Sequence, residues 1–261
     1  MKKILILYFS GVGATKKIAD LMYTSLLQNS EVDIFSIENK NIPNIVEYDG
    51  LIVGTPVYHG APAKTVMDYW DKKSRLSKET LTFVYNTRGL CSLNTNRILA
   101  KKLFQKNIYV IMDKAYRSPA SDGSIIAPFI NRFFEFEKDI EKKIDQDCLK
   151  FLEMLNYDTP QRYIPKFSFG SIVNAPNKAA GQLITLKIHL HKDKCMKCGH
   201  CVEQCHRKVF QKDKNSYPIF TSKGCENCYR CIHHCPKTAL SLSKNNTPKK
   251  LLQFWLNCSI Y

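Results

Sequence analysis

Continuous apolar runs alternate with helical patterns along the first 157 residues of the chain. The apolar runs predict buried strands at Ile4 to Phe9, at Val32 to Ile37, and within the segments "YDGLIVGTPVY", "LTFVYNTRG" and "NIYVIMD". Segments with helical spacing separate these runs, and the first of them ends near Gln28. Strands that are apolar throughout and separated by helices are typical of a parallel sheet covered on both faces. The pattern therefore predicts an α/β domain built around a five-stranded parallel sheet.

The pattern changes near residue 157, and this change predicts how the chain is divided. The segment "FINRFFEFEKDIEKKIDQDCLKFLEML" places most of its apolar residues on one stripe, so it predicts a last helix that closes a first domain, residues 1–157. Residues 158–182 contain prolines and glycines with little periodicity, and we interpret them as a linker or interface segment. The segment "LITLKIHLHK" alternates with period two and predicts the opening strand of a second domain, residues 183–245. Residues 246–261 form a short tail that we expect to pack on that domain.

The chain is strongly basic, with a formal net charge of +16 over 261 residues. Residues 1–189 carry 26 basic and 19 acidic side chains, and residues 190–261 carry 13 and 4, so both parts contribute. Such a surface favours acidic protein partners, anionic membrane surfaces or nucleic acid. No apolar run approaches the roughly 18 residues of a membrane-spanning helix, and we interpret the opening "MKKILILYF" as a core strand rather than a targeting signal. We therefore expect a cytoplasmic protein without a transmembrane segment.

Eight of the eleven cysteines lie in two copies of one motif. The copies are "CMKCGHCVEQC" and "CENCYRCIHHCP", each with its cysteines separated by two, two and three residues. Soft thiolates in such runs suit iron with sulfide. Zinc also accepts four cysteines, but zinc modules usually use two separated pairs, which makes zinc the minor alternative. Four histidines lie in or beside the motifs, and we interpret them as exposed loop residues: His200, His206, His233 and His234.

This repeat resembles the bacterial ferredoxins that hold two [4Fe-4S] clusters. The resemblance implies a small α+β ferredoxin domain in which the fourth cysteine of each copy serves the cluster of the other copy. The implied ligands of one cluster are Cys195, Cys198, Cys201 and Cys235. The implied ligands of the other are Cys225, Cys228, Cys231 and Cys205. The proline that follows the fourth cysteine in that family is present as Pro236, whereas the first copy has His206 at this position.

A short loop, "SGVGAT", joins the first strand to the first helix. Its backbone N–H groups and the positive end of the helix would converge on one point, which suits a phosphate, although a tight turn with a helix cap has the same pattern. The loop resembles the phosphate loop of flavodoxins, and the resemblance extends over residues 1 to about 157 through the strand order. It implies a flavodoxin-like, doubly wound domain that binds FMN, with the flavin ring between the loops after the third and fourth strands. Val12 and Ala14 replace polar residues common in that family, so fewer side chains can donate to the phosphate.

Three loops are therefore the candidates for FMN binding. The phosphate loop comprises Ser10, Gly11, Val12, Gly13, Ala14 and Thr15. The loop after the third strand comprises Thr55, Pro56, Val57, Tyr58, His59 and Gly60, and the loop after the fourth comprises Asn86, Thr87, Arg88 and Gly89. Tyr58 offers an aromatic face for stacking, and Arg88 offers a charge. Gly60 and Gly89 permit close approach of the backbone.

The two resemblances together imply a fusion of a flavodoxin-like domain with a ferredoxin domain. We predict an electron-transfer protein that passes electrons between FMN and two [4Fe-4S] clusters and converts two-electron into one-electron transfer. Its partners would be acidic redox proteins or a small electron donor or acceptor. One alternative is an FMN-dependent reductase of a quinone-like acceptor, fed by the clusters. Another is an iron-sulfur protein that binds nucleic acid or acts as a sensor, but no basic helix or recognition motif supports it.

Overall fold

The computed structural model describes residues 1–121, 135–173 and 187–242. Its first part is built on five parallel strands: β1 (Lys2–Tyr8), β2 (Ser30–Ser36), β3 (Gly50–Tyr58), β5 (Thr80–Arg88) and β6 (Ile108–Arg117). The short strand β4 (Ala61–Pro62) folds back antiparallel onto β3. The parallel strands have the order β2-β1-β3-β5-β6. This is the flavodoxin-like doubly wound order, and it confirms the predicted fold class.

Helices cover both faces of this sheet. The helices α1 (Ala14–Leu26) and α4 (Ile140–Leu155) pack on one face, and α2 (Lys64–Lys72) and α3 (Thr95–Phe104) pack on the other. In β1 the residues Ile4 and Ile6 enter the first core, while Leu5 and Leu7 enter the second. Because successive side chains of a strand point to opposite faces, burial of both faces requires a continuous apolar run. This explains why the strands could be recognised in the sequence.

The last helix of this part is shorter than the sequence predicted. Residues 129–134 of the predicted helix lie outside the described residues, and the described helix α4 begins only at Ile140. Residues 135–138 are not helical, and Asp139 has a φ of 55° in the left-handed region, so the helix cannot extend back through it. The apolar stripe is nevertheless present, since Ile144, Cys148 and Leu155 are buried.

The segment that follows α4 lies along the edge of the sheet formed by β6. The Tyr163 N–H donates to the carbonyl of Val110 in β6 at 3.0 Å, and Arg97 in α3 donates to the carbonyl of Pro165 at 2.8 Å. Further along, the Ser168 N–H donates to the side chain of Asn94 at 2.7 Å, shortly before the short helix α5 (Gly170–Val173). The described part of the interpreted linker is thus hydrogen-bonded to the first domain.

The second part is a small α+β module. Strand β7 (His189–Leu190) pairs antiparallel with β10 (Leu240–Ser241), and β8 (Phe210–Lys212) forms a hairpin with β9 (Pro218–Phe220). Two short helices, α6 (His200–Glu203) and α7 (Arg230–His233), follow the cysteine loops. Residues 183–186 of the predicted opening strand and the tail, residues 246–261, lie outside the described residues. None of the helices in the described ranges is long and apolar enough to cross a membrane.

We expect Gly54 to be essential to the packing of the first domain. A Cβ at this position of β3 would lie 2.2 Å from the ring of Tyr85, whose hydroxyl donates to the carbonyl of Thr15 at 3.0 Å. Gly54→Ala should therefore displace the ring and lower the free energy of unfolding by about 1–3 kcal/mol, as overpacking does. Urea unfolding measures this change. Gly170→Ala is the control, because nothing lies closer than 3.6 Å to its Cβ position; equal losses in both variants would contradict the prediction.

Candidate functional site

The two copies of the cysteine repeat have the same backbone conformation. Left-handed residues occur at Lys197 and Gly199 in the first copy and at the equivalent Asn227 and Tyr229 in the second. A short helix follows each pair, α6 after Gly199 and α7 after Tyr229. The repeat in the sequence is therefore also a repeat of structure, even though only one of these four positions is a glycine.

The eight cysteines line two separate cavities. The first cavity is lined by Cys195, Cys198, Cys201 and Cys235. The second is lined by Cys205, Cys225, Cys228 and Cys231. The fourth cysteine of each copy thus lies in the cavity of the other copy. These are the two sets that the ferredoxin resemblance implied.

The donor set of each cavity fits an iron-sulfur cluster. All eight cysteines are free thiols. Burial, with the neighbouring thiols adding to its effect, raises the pKa of Cys201 to about 11, and burial close to Glu226 raises that of Cys228 to about 12. These two thiols become thiolates more readily when a cation is bound beside them. Four cysteines around one cavity are the ligands that a [4Fe-4S] cluster uses.

The loop between β1 and α1 has the features of a phosphate cradle. Gly13 has a φ of 107° and precedes α1, and no side chain caps the helix. The first-turn N–H groups of a helix have no acceptor within it, so at this end they face outward together with the positive end of the helix dipole. The Gly13 N–H itself donates to the hydroxyl of Ser10 at 3.0 Å. The Thr15 hydroxyl is buried and shares a 2.7 Å hydrogen bond with that of Thr87. The loop therefore offers backbone donors more than side-chain donors, which fits the phosphate end of FMN.

The two other predicted loops meet at the same end of the sheet. The Tyr58 hydroxyl lies against the phosphate loop, where a Cβ on Gly11 would be 2.1 Å from it. Gly60, at the turn between β3 and β4, is in contact with Leu93 from the loop after β5, because a Cβ there would lie 2.4 Å from the leucine. All three loops are thus brought together, and in this structure they touch one another.

The structure places most residues of these two predicted loops in strands, 55–58 at the end of β3 and 86–88 at the end of β5, and their polar side chains have different surroundings. The Thr55 hydroxyl accepts a 3.1 Å hydrogen bond from the Ala63 N–H and so connects β3 to the residue that follows β4. The Arg88 guanidinium donates to the carbonyl of Leu90 in its own loop at 2.7 Å. The buried Asn86 donates to Asn96, but its Oδ1 has no partner within the described ranges. An unpaired buried oxygen beside the converging loops fits a site that binds a polar ligand.

The second cysteine loop lies directly on the phosphate loop. Arg230 of α7 donates to the carbonyl of Ser10 at 2.7 Å and to that of Gly11 at 2.9 Å. It also forms a two-pronged ion pair with Glu38, which follows β2, at 2.7 and 2.8 Å. A Cβ on Gly11 would lie 3.2 Å from the Cβ of Cys228. The second cavity therefore adjoins the candidate phosphate site.

Glu226 makes a second connection between the two parts. Its carboxylate accepts from both the N–H and the hydroxyl of Thr65, in each case at 3.0 Å. Thr65 lies in the first turn of α2, which has no side-chain cap of its own. A carboxylate from the second part therefore caps a helix of the first and complements its dipole. A third connection pairs Arg207 with Asp68 at 2.6 Å.

None of the four histidines beside the cysteines is exposed, contrary to our interpretation: His200 and His234 are partly buried, and His206 and His233 contact the first part of the chain. The Nε2 atom of His206 forms a 2.5 Å hydrogen bond with the carboxylate of Glu226. The His206 ring lies edge-on to the ring of Phe9, with the ring centroids 4.7 Å apart. His233 is buried, and its Nε2 lies 2.9 Å from the carbonyl oxygen of Ser121. Both side chains lie where the two parts of the chain meet. Contacts between distant segments bury them, and such contacts leave no pattern in the local sequence.

The residues that hold the two parts together were missed in the sequence. Arg230 and Glu226 stand within the second cysteine motif, and Glu38 and Thr65 stand in or beside loops. Charged residues stand between the ligand cysteines of both copies, so the one available signal was a difference in residue type at matching positions. The first copy has a glycine and a histidine, Gly199 and His200, at the positions of Tyr229 and Arg230. This difference indicates that the two cavities have different neighbours.

Comparison with known protein families gives two matches. Residues 5–108 match the flavodoxin domain family, and residues 194–243 match the 4Fe-4S dicluster domain family. No curated protein matches the chain.

Similar solved structures cover the first part of the chain. One is a flavodoxin from the domain Archaea, with 12% identity over 59% of this chain and 99% of its own, and a TM-score of 0.45. Another is oxidised Flavodoxin 2 from Bacillus cereus, with 21% identity, coverage of 58% and 98%, and a TM-score of 0.41. A third is a flavoprotein in complex with FMN from Lactobacillus acidophilus, with 18% identity, coverage of 44% and 93%, and a TM-score of 0.36.

Proposed function

We infer a specific electron-transfer function for this chain, which joins a flavodoxin domain to a 4Fe-4S dicluster domain and is therefore a redox protein. The protein passes electrons between FMN on the flavodoxin domain and two [4Fe-4S] clusters on the dicluster domain. FMN exchanges electrons in pairs or singly, and each cluster carries one electron at a time. The function is therefore conversion between two-electron and one-electron transfer within one chain.

The observation that supports this proposal is the contact between the second cavity and the phosphate loop. Cys228 lines that cavity and also packs against Gly11. Arg230, two residues further on, binds the carbonyls of the same loop. A cofactor held by the four cysteines of the second cavity would lie next to one held by the phosphate loop, with no other domain between them.

The chain's own residues have separate tasks in this arrangement. The two sets of four cysteines hold the clusters, and the backbone of the phosphate loop holds the FMN phosphate. Arg230 and Glu226 hold the dicluster domain on the flavodoxin domain. Because these ionic contacts are largely shielded from water, they fix one orientation of the two domains more strongly than exposed ion pairs would.

The proposal is tested on protein purified without oxygen. Iron, sulfide, zinc and flavin are measured per chain, the flavin is reduced with light, and cluster absorption is followed. We expect about eight irons, about eight sulfides and one FMN, with bleaching of the clusters after flavin reduction. Zinc in place of iron, a chain without flavin, or a reduced flavin beside clusters that stay oxidised would each contradict the proposal.

A further inference from the structure

The lining of the first cavity is more exposed than that of the second. Cys198 is exposed, and so are Met196 and Pro236, which also line the cavity. The hydrogen bonds and ion pairs to the flavodoxin domain come from the region of His206 to His233. Residues 187–203 make none with the described residues of that domain. A cluster in the first cavity would therefore have a free side.

Five lysines lie close to the lining of this cavity, either beside its residues in the chain or in contact with its loops, and we call them the lysine collar. They are Lys192, Lys194, Lys197, Lys212 and Lys237. Lys237 lines the cavity itself. The ammonium group of Lys212 lies against the loop, since a Cβ on Gly199 would be 2.8 Å from it. The ammonium groups of Lys192 and Lys197 lie 5.3 and 4.4 Å from the centre of the Tyr217 ring.

The cations of the collar differ from those that face the flavodoxin domain in whether the described residues pair with them. Arg207 binds Asp68, and Arg230 binds Glu38. No collar lysine forms an ion pair with any residue in the described ranges. The carboxylate of Asp213, beside Lys212, instead accepts the N–H groups of Asn215 and Tyr217. Both arginines of the dicluster domain thus form ion pairs within the molecule, whereas the collar lysines form none with the described residues.

We propose that the lysine collar is the docking surface for an acidic redox protein, which exchanges single electrons with the cluster of the first cavity. This inference rests on the proposed function and assigns the cluster of the first cavity as the point where electrons leave the protein. Exposed Met196 and Ile219, 58% and 50% exposed, provide apolar contact beside the charged rim, as in other protein interfaces. Cations near the cavity that form no ion pair with the described residues attract an acidic partner and raise the rate of productive encounter.

The test measures electron transfer to three oxidised acceptors after the clusters have been reduced with dithionite and the excess removed. The acceptors are the acidic haem domain of cytochrome b5, basic cytochrome c and neutral benzoquinone. The collar variant is Lys192→Glu with Lys212→Glu, because neither lysine is adjacent to a cysteine. The control variant is Lys101→Glu with Lys150→Glu, exposed on the helices α3 and α4, which changes the net charge equally.

At low ionic strength, the collar variant should transfer electrons to the acidic acceptor about tenfold or more slowly than the unmodified protein. The control variant should change that rate less than about twofold, since its charges lie away from the exit. Added salt should slow the unmodified protein and have little effect on the collar variant. The rate with benzoquinone should be the same for all three proteins.

Three results would overturn the proposal. An equal loss in the control variant would show that only net charge matters, and an unchanged rate in the collar variant would show that docking occurs elsewhere. A matching loss with benzoquinone would show that the lysines tune the cluster rather than bind a partner. Because dithionite reduces the clusters directly, failure of internal transfer from the flavin is seen separately and would overturn the internal route while leaving the collar result valid.

Discussion

Replacing Cys228 by alanine is expected to stop electron transfer from the reduced flavin to either cluster, whereas replacing Cys198 by alanine is expected to leave the first transfer intact. Cys228 lines the cavity that adjoins Gly11 of the phosphate loop. Cys198 lines the first cavity, which we also call the outer cavity, and is exposed; the second cavity is the inner one. Each change removes one thiol from one set of four, so the two variants are chemically matched controls for each other.

The measurement is rapid-mixing absorption after reduction of the flavin, combined with iron analysis. Both variants should keep one flavin and at least about four irons, since one complete set of four cysteines remains in each. Cys228→Ala should show a reduced flavin with an oxidised outer cluster. Cys198→Ala should show bleaching of the inner cluster and no onward reduction of an acidic acceptor. The reverse pattern would mean that the outer cavity, and not the inner one, receives electrons from the flavin.

The sequence was a sufficient basis for predicting the fold for a physical reason, and the family resemblance pointed to the two cysteine sets. Strands such as β1, with both faces buried, require an unbroken apolar run, and this pattern is visible without any knowledge of the neighbours. The cysteine motifs are equally local, because their repeated spacing is visible in the sequence, and the resemblance to ferredoxins implied how the two copies share their thiols. The strand predictions, which depend on one segment at a time, are the ones that the structure reproduces.

The contacts between the domains could not be predicted in this way. Arg230 binds Glu38 across 192 residues of the sequence. Each looks like an ordinary exposed charge when read in its own segment. The start of α4 was wrong for a similar reason, because the apolar stripe continues upstream of Ile140 in the sequence while the left-handed Asp139 ends the helix. The relative placement of the loops that touch at Gly60 and Leu93 is likewise a result of tertiary packing alone.

The contrast between the two cavities follows from these unpredicted contacts. The motifs are nearly identical in spacing, so the sequence gives no reason to assign one cluster to the flavin and the other to a partner. The proposed assignment depends on what stands between the ligands: Arg230 in the second copy binds the flavodoxin domain, while the first copy has His200 at the same position and lysines nearby that form no ion pair with the described residues. Under the proposal, two ligand sets of the same spacing therefore acquire different partners from their different surroundings.

Arg230→Ala is expected to release the dicluster domain from the phosphate loop. The change would leave three acceptors of the flavodoxin domain without their donor: the carbonyls of Ser10 and Gly11 and the carboxylate of Glu38. Truncating one partner of a largely desolvated, hydrogen-bonded charge pair costs about 2–5 kcal/mol. This cost exceeds what the more exposed pair of Arg207 and Asp68 is expected to contribute, roughly 1 kcal/mol or less.

The measurement combines the rate of cluster reduction by the flavin with amide hydrogen exchange of residues 10–13 and 225–231. We expect both segments to exchange at least about tenfold faster, because a cost of 2 kcal/mol or more corresponds to a more than tenfold rise in the undocked population, and we expect the rate of cluster reduction to fall as the docked fraction decreases. Asp68→Ala is the control and should change both readings only slightly. Glu38→Ala removes the ion pair without altering the cysteine loop, so its effect cannot arise from faulty cluster assembly. If Glu38→Ala leaves the rate and the exchange unchanged while Arg230→Ala lowers the iron content, Arg230 supports its own loop and does not dock the domains.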